Sequence, residues 1–589
     1  MKSFFSSLLA SIIGCAIVLG TCVLILIIVM GALMSFDTSE TYTVKKNSVL
    51  HLNLAGVMTD RVEKNPLAEF FGENATPKIA LSDVLSSIEL AKTDNNISGI
   101  YIKAGILSAS SASLTEIRNA LKGFKEDTDK FVVAYGDIYT QGAYYLSTVA
   151  DKVIINPEGS LDIHGFSVSP MFYKGLLDKV GVKMQIFKVG TFKSAVEPYI
   201  NNEMSVANKE QVSSYINDMW ATTSNGIAEA RNIDIKKVNE IADYAPALRE
   251  TKYALENKLV DDLMYESEVH KHLKDLMGVA HDKKISLVTP ENMVSAYPET
   301  AVSDKNDVVA ILYAEGTINS GSSRDGITDG RLIRELKNLE ENKNVKAVVL
   351  RVNSPGGSAY ASEQIWKAVA DLKKANKPVV VSMGDVAASG GYYISCNADR
   401  IVASPTTITG SIGIFGLFPN VSKTLSKLGI SSDVVKTNEL SDFGNISRGF
   451  NDKESELLQS YIDKGYDLFL TRCADGRGMQ KDSLAKYAEG RVWTGKQAKE
   501  IGLVDELGGV EDAIRIAADL ANLGKSYAVY EYPKMKNKFE ELLNKNKEEL
   551  VTKAAKEWLG DNVDLFLMLK NQNEQEFIQA RIPYELNIK

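Results

Sequence analysis

Histidine is scarce in this sequence, and where it is missing matters more than how little there is. Five occur in 589 residues (His51, His164, His270, His272 and His281), and none follows His281. No His-x-x-x-His or Cys-x-x-Cys spacing is present, so no metal and no cofactor is expected. Cysteine is as rare. Cys15 and Cys22 lie in an apolar N-terminal stretch, and Cys396 and Cys473 lie in the body. Two body cysteines make no disulfide framework; two buried thiols are the simpler reading, with a Cys396–Cys473 bridge left open. Excess positive charge is also absent. Lys and Arg number 67 against 76 Asp and Glu, a net charge of −9, which speaks against a nucleic-acid partner.

One long apolar run is present. Leu8–Met34 exceeds the roughly 20 residues that a helix needs to cross a bilayer core. A secretory leader would have a shorter apolar region and a small-x-small cleavage site, and Ser35–Glu40 offers none. An uncleaved, single-pass anchor is expected. Lys2 before it, with Asp37 and Glu40 after it, fits an inside N-terminus and an exported body.

The rest of the chain states one pattern twice. Asn96–Gly165 aligns without gaps on Asn344–Gly413 at a constant offset of 248. Gly136-Asp137 falls on Gly384-Asp385, Tyr144-Tyr145 on Tyr392-Tyr393, and Asp151 on Asp399. Further on, Leu259-Val260-Asp261 matches Leu503-Val504-Asp505 at an offset of 244. Such self-similarity marks a duplicated structural unit. In each copy, apolar runs (Val49–Leu54, Ile97–Ile102, Phe131–Tyr135; Val308–Tyr313, Val345–Val352, Val379–Met383) alternate with helical stretches (Leu114–Phe124; Ser362–Lys373). Alternation of this kind predicts α/β units with parallel sheets built from β-α-β crossovers.

The differences between the copies point to chemistry. Ser389, in Ala387-Ala388-Ser389-Gly390-Gly391, faces Gln141, and the Pro-Gly-Gly of Asn353–Ser358 has no match in Gly105–Ser110. Only the second copy can hold a nucleophilic serine in a glycine-lined turn, with the Gly390 N–H and one from Gly356-Gly357 as candidate oxyanion donors. A serine nucleophile needs a base. A histidine base would have to come from His51 or His164 in the other copy, with no motif to support it. A desolvated lysine can serve instead. Lys193 stands out in Gly190-Thr191-Phe192-Lys193-Ser194-Ala195-Val196-Glu197-Pro198, and its counterparts among Glu439–Ser441 include no lysine. One copy has the serine and the other the lysine.

With these motifs, Thr409-Gly410-Ser411-Ile412-Gly413 and Gly490-Arg491-Val492-Trp493-Thr494-Gly495, the chain resembles the long, duplicated form of the signal peptide peptidase A (protease IV) family. These are membrane-anchored Ser/Lys proteases. The resemblance implies two tandem ClpP/crotonase-like repeat domains behind one N-terminal transmembrane helix. It implies Ser389 as nucleophile, Lys193 as general base, Ser411 as the residue that orients the lysine, and Gly356, Gly357 and Gly390 as the oxyanion region. It also implies hydrophobic peptides, notably remnant signal peptides, as substrates. The implied assembly is a homotetramer, at the bacterial inner membrane with its body on the outer side.

The resulting division is an anchor over 1–45, a lysine-bearing repeat over 46–280, a linker over 281–306 and a serine-bearing repeat over 307–531. A helical tail follows over 532–589, with Phe539, Leu542 and Leu543 at helical spacing. Gly490–Gly495 and Leu503–Asp505 read as packing elements. A crotonase-like acyl-transfer enzyme and a non-catalytic membrane scaffold of the same fold are the competing readings.

Overall fold

The computed structural model describes residues 42–62, 76–297, 307–323, 326–524, 526–534 and 578–581, with residues 14, 17–21 and 24 near the N-terminus. Valine- and isoleucine-rich runs form the interiors of two parallel sheets, as a strand covered on both faces requires. In the first half the strand order is Lys78–Ala80, Ser48–Thr59, Ile97–Ser108, Phe131–Tyr139, Lys152–Leu161 and Asp262–Leu263, with Ser286–Val288 also paired to Ser48–Thr59. In the second half it is Val492–Thr494, Ile408–Gly410, Val379–Ala388, Val345–Ser354, Val308–Glu315 and Ala528–Tyr532. There Arg400–Ala403 joins Val379–Ala388 to Glu506–Leu507.

The matched residues hold corresponding joints. Asp151 and Asp399 accept from the backbone N–H of Val132 and Val379, at 2.7 and 2.8 Å. Tyr144 and Tyr392 donate to the carbonyls of Leu259 and Leu503, at 2.7 and 2.9 Å. Asp261 and Asp505 each accept a backbone N–H at 2.7 Å, and are paired with Arg231 and Arg477. The Leu-Val-Asp repeat is therefore a fastening of the fold. Cys396 and Cys473 are both free and buried.

Two expected boundaries need correction. Ser286–Val288, inside the expected linker, pairs with Ser48–Thr59 as Ala528–Tyr532 pairs with Val308–Glu315, so it closes the first sheet. Its short Ser-Leu-Val run has too few residues to show a strand period. Tyr532, the expected start of the helical tail, ends a strand, and Ile578–Arg581 within that tail is a strand as well. Phe539, Leu542 and Leu543 lie outside the described residues. So does most of Leu8–Met34, and no helix among the described residues is long and apolar enough to cross a membrane.

A third sheet belongs to neither repeat alone. Its order is Ile327–Thr328, Ile318–Asn319, Gly356–Ser358, Ile578–Arg581, Phe415–Asn420 and Lys183–Lys188. Beneath it, a buried ion cluster joins the halves. Arg351 bonds Asp60 at 3.0 Å, pairs with Glu116 at 2.8 Å and donates to Ser382 Oγ at 2.9 Å. Burial pushes the Glu116 carboxyl upward against the pull of Arg351. Removing one partner of such a cluster strands buried charge. Arg351→Ala is expected to lower the unfolding free energy by about 3–5 kcal/mol, measured as a fall in the urea midpoint with the slope unchanged.

Candidate active site

Ser389 ends the strand Val379–Ala388 and immediately precedes the short helix Gly390–Ser395. The chain turns there through φ 56°, ψ −112°, a conformation a serine adopts only when its surroundings impose it. The Ser389 N–H donates to Gly410 O and its carbonyl accepts from Tyr393 N, both at 2.8 Å. Turn and hydroxyl are thereby fixed.

Lys193 arrives from the first half. Lys183–Lys188 runs antiparallel to Phe415–Asn420, and the loop that follows drops Lys193 beside Ser389. Its Nζ lies 2.8 Å from Ser389 Oγ and 3.1 Å from both Oγ and the carbonyl of Ser411. Ser389, Lys193 and Ser411 are all fully buried. Burial alone drives the ammonium well below its ordinary pKa of 10.5, because the charged form loses its hydration.

The glycines named from sequence are drawn in too. Gly356, at φ 97°, packs so closely that a methyl group there would collide with the Ala580 carbonyl and lie 2.7 Å from Gly390 N. A methyl on Gly390 would be 3.1 Å from the same carbonyl. Gly356 N donates to Ser354 Oγ at 3.2 Å, which leaves Gly390 as the N–H facing that spot. Gly357 abuts Ile318 on the far side of its strand.

Sequence reasoning missed the parts that seat the lysine. Gly490, at φ 77°, presses on Lys193: a methyl there would sit 2.7 Å from the lysine's backbone N. The flanking residues hold both partners, since Phe192 N donates to Glu489 O at 3.0 Å and Ser411 N to Arg491 O at 2.7 Å. Gln211 donates to Phe192 O at 3.0 Å and to Ser194 Oγ at 2.9 Å. The Gly490–Gly495 motif was the available signal for this clamp. In the first copy Gln141 stands in place of Ser389, and its side-chain oxygen accepts from His164 N and Gly165 N at 2.9 and 2.8 Å. The first copy's pocket is plugged by an amide. No histidine reaches Ser389: His164 pairs with Asp162, and His51 stacks on Tyr101.

This arrangement has the parts of an acyl-transfer centre, and similarity to known proteins gives the class. The model of Peptidase family S49 matches residues 124–280 and again 371–524, one match per repeat, and the Clp protease model matches 300–407. The chain is 37% identical over 525 residues to Protease 4 of Haemophilus influenzae, covering 86% of this chain and 85% of that one. It is 30% identical over 488 residues to the chloroplastic serine protease SPPA of Arabidopsis thaliana, covering 82% and 70%. It is 39% identical over 192 residues to a putative signal peptide peptidase SppA of Enterococcus faecium, covering 33% and 56%. The chain belongs to peptidase family S49 and is a serine peptidase with a duplicated, ClpP-like α/β architecture.

The depressed lysine pKa has a consequence for stability. Between the folded value and 10.5 the unfolded chain binds the extra proton, so stability rises with pH across that window. Relative to Lys193→Met, wild type is expected to gain stability steadily from about pH 7 to about pH 10, read from Tm at each pH. A flat difference would mean that the folded lysine is charged.

Proposed function

We propose that this peptidase is a membrane-anchored endopeptidase working through a Ser389/Lys193 dyad on hydrophobic peptides, remnant signal peptides among them. The observation that carries the dyad is the 2.8 Å approach of a fully buried amine to a buried serine hydroxyl on a strained turn. Neutral Lys193 takes the Ser389 proton as Oγ attacks the substrate carbonyl. The Gly390 N–H, in a turn shaped by Gly356 and Gly357, receives the oxyanion. Ser411 holds the amine in line. The lysine then returns the proton to the departing amine, and water hydrolyses the ester by the same route.

The apolar run Leu8–Met34 supports the anchor, and the charges around it support an exported body at a bacterial inner membrane. The Enterococcus faecium relative's name supports signal peptides as a substrate class. A homotetramer is carried over from the family resemblance.

Detergent-solubilised full chain is expected to hydrolyse a hydrophobic fluorogenic peptide. Ser389→Ala and Lys193→Ala each lose roughly a hundred- to ten-thousand-fold in kcat, and the double variant loses no more than the worse single one, since the two act as a unit. Activity retained in Lys193→Ala would transfer the base role elsewhere. Ser411→Ala is expected to lower kcat by roughly fivefold with KM unchanged, the worth of about one hydrogen bond. In wild type the rate rises with pH through a limb well below 10.5, because the working form of Lys193 is neutral.

A further inference from the structure

The strand Ile578–Arg581 is paired on both edges. It runs antiparallel to Gly356–Ser358, with Gly357 opposite Ala580, and antiparallel to Phe415–Asn420, with Phe415 opposite Gln579. The first of these flanking strands follows Ser354-Pro355 directly, and the second begins four residues after Ser411. The strand therefore crosses the active site. Ala580 is fully buried, Ile578 is half-buried on the same face, and Arg581 lies near enough to bias the Tyr199 phenol.

The Ala580 carbonyl oxygen rests against Gly356 and Gly390, where the dyad needs the oxygen of a reacting carbonyl. An extended segment held between two strands, with one carbonyl at the oxyanion glycines, is how a substrate binds by strand addition. The fold does not need it: among the described residues, the sheet of the first copy is complete with no such strand.

We propose that Ile578–Arg581 is a substrate of the site it occupies, and that the Ala580–Arg581 peptide bond is a self-processing site. The proposal rests on the Ser389/Lys193 reading. Ser389 Oγ bonds to the Ala580 carbonyl carbon as its proton passes to Lys193. The C–N bond to Arg581 breaks, and the Arg581 nitrogen leaves with that proton. Water then cleaves the Ala580 ester, restoring Ser389 and leaving a carboxylate on Ala580. The same register describes substrates cut in trans: extended chains with a small residue before the cut bond and a branched apolar one two positions earlier.

Intact-mass measurement on purified full chain and on Ser389→Ala tests this, with both also assayed on a hydrophobic fluorogenic peptide. Ser389→Ala is expected to keep its whole mass, and wild type to lack everything from Arg581 onward. A wild type that hydrolyses the fluorogenic peptide yet keeps Arg581 and beyond overturns the self-processing and leaves the peptidase reading standing. A wild type that does neither overturns both. Equal trimming in Ser389→Ala assigns the cut to another protease and overturns it too. A synthetic peptide spanning Gln575–Tyr584 removes any question of folding. Wild type is expected to cut it between Ala580 and Arg581, and to cut the Ala580→Trp peptide roughly tenfold more slowly or worse. Cleavage at another bond, or equal cleavage of both, overturns the register.

Discussion

The active centre depends on one antiparallel pairing, Lys183–Lys188 against Phe415–Asn420. It stitches a strand of the first repeat to a strand that follows Ser411 in the second, and so carries Lys193 across to Ser389. Neither half could bury the amine alone. The walls around it come from Gly413 and Gly490 of the second half and from the lysine's own loop, tied by Gln211. Because burial sets the lysine's proton affinity, the contact between repeats also tunes the chemistry. A dyad split across two copies is viable only if the copies stay locked, which gives the buried Arg351–Asp60–Glu116 cluster its place.

Duplication explains which residues agree and which do not. The agreeing ones (Asp151 and Asp399, Tyr144 and Tyr392, Asp261 and Asp505) fasten strands in corresponding ways in both halves. The disagreeing ones are the site. Where the second copy exposes a serine hydroxyl to the lysine, the first fills the space with Gln141, bonded to the backbone at Gly165. The first copy keeps the fold, fills its own pocket and supplies the lysine.

The central strands and the helix after the Ser389 turn were legible because long β-branched runs and Gly/Ser turns carry their own pattern. Ser389 and Lys193 were singled out by contrast between copies, and resemblance added Ser411. The third sheet was not legible. Its strands are two to six residues long, two of them glycine-bearing, and their partners lie far apart in sequence. Ile-Gln-Ala-Arg has no period to distinguish it from the Lys/Glu-rich stretch before it; only tertiary pairing makes it a strand. Gly490 could be read as a motif residue but not as the surface against which Lys193 packs, since that contact spans 297 positions.

Two buried cations in this chain face the same cost and meet it in opposite ways. Arg351 is taken out of water together with Asp60 and Glu116, so the charged form is held and the guanidinium serves as a clamp. Lys193 is taken out of water among serine oxygens and carbonyls, which solvate an ammonium only partly. The several kcal/mol of uncompensated desolvation then fall on the protonated state, and the amine sheds its proton. A carboxylate placed beside Lys193 would restore the ion pair and remove the base. The choice of neighbours, with burial held equal, separates a structural cation from a proton acceptor.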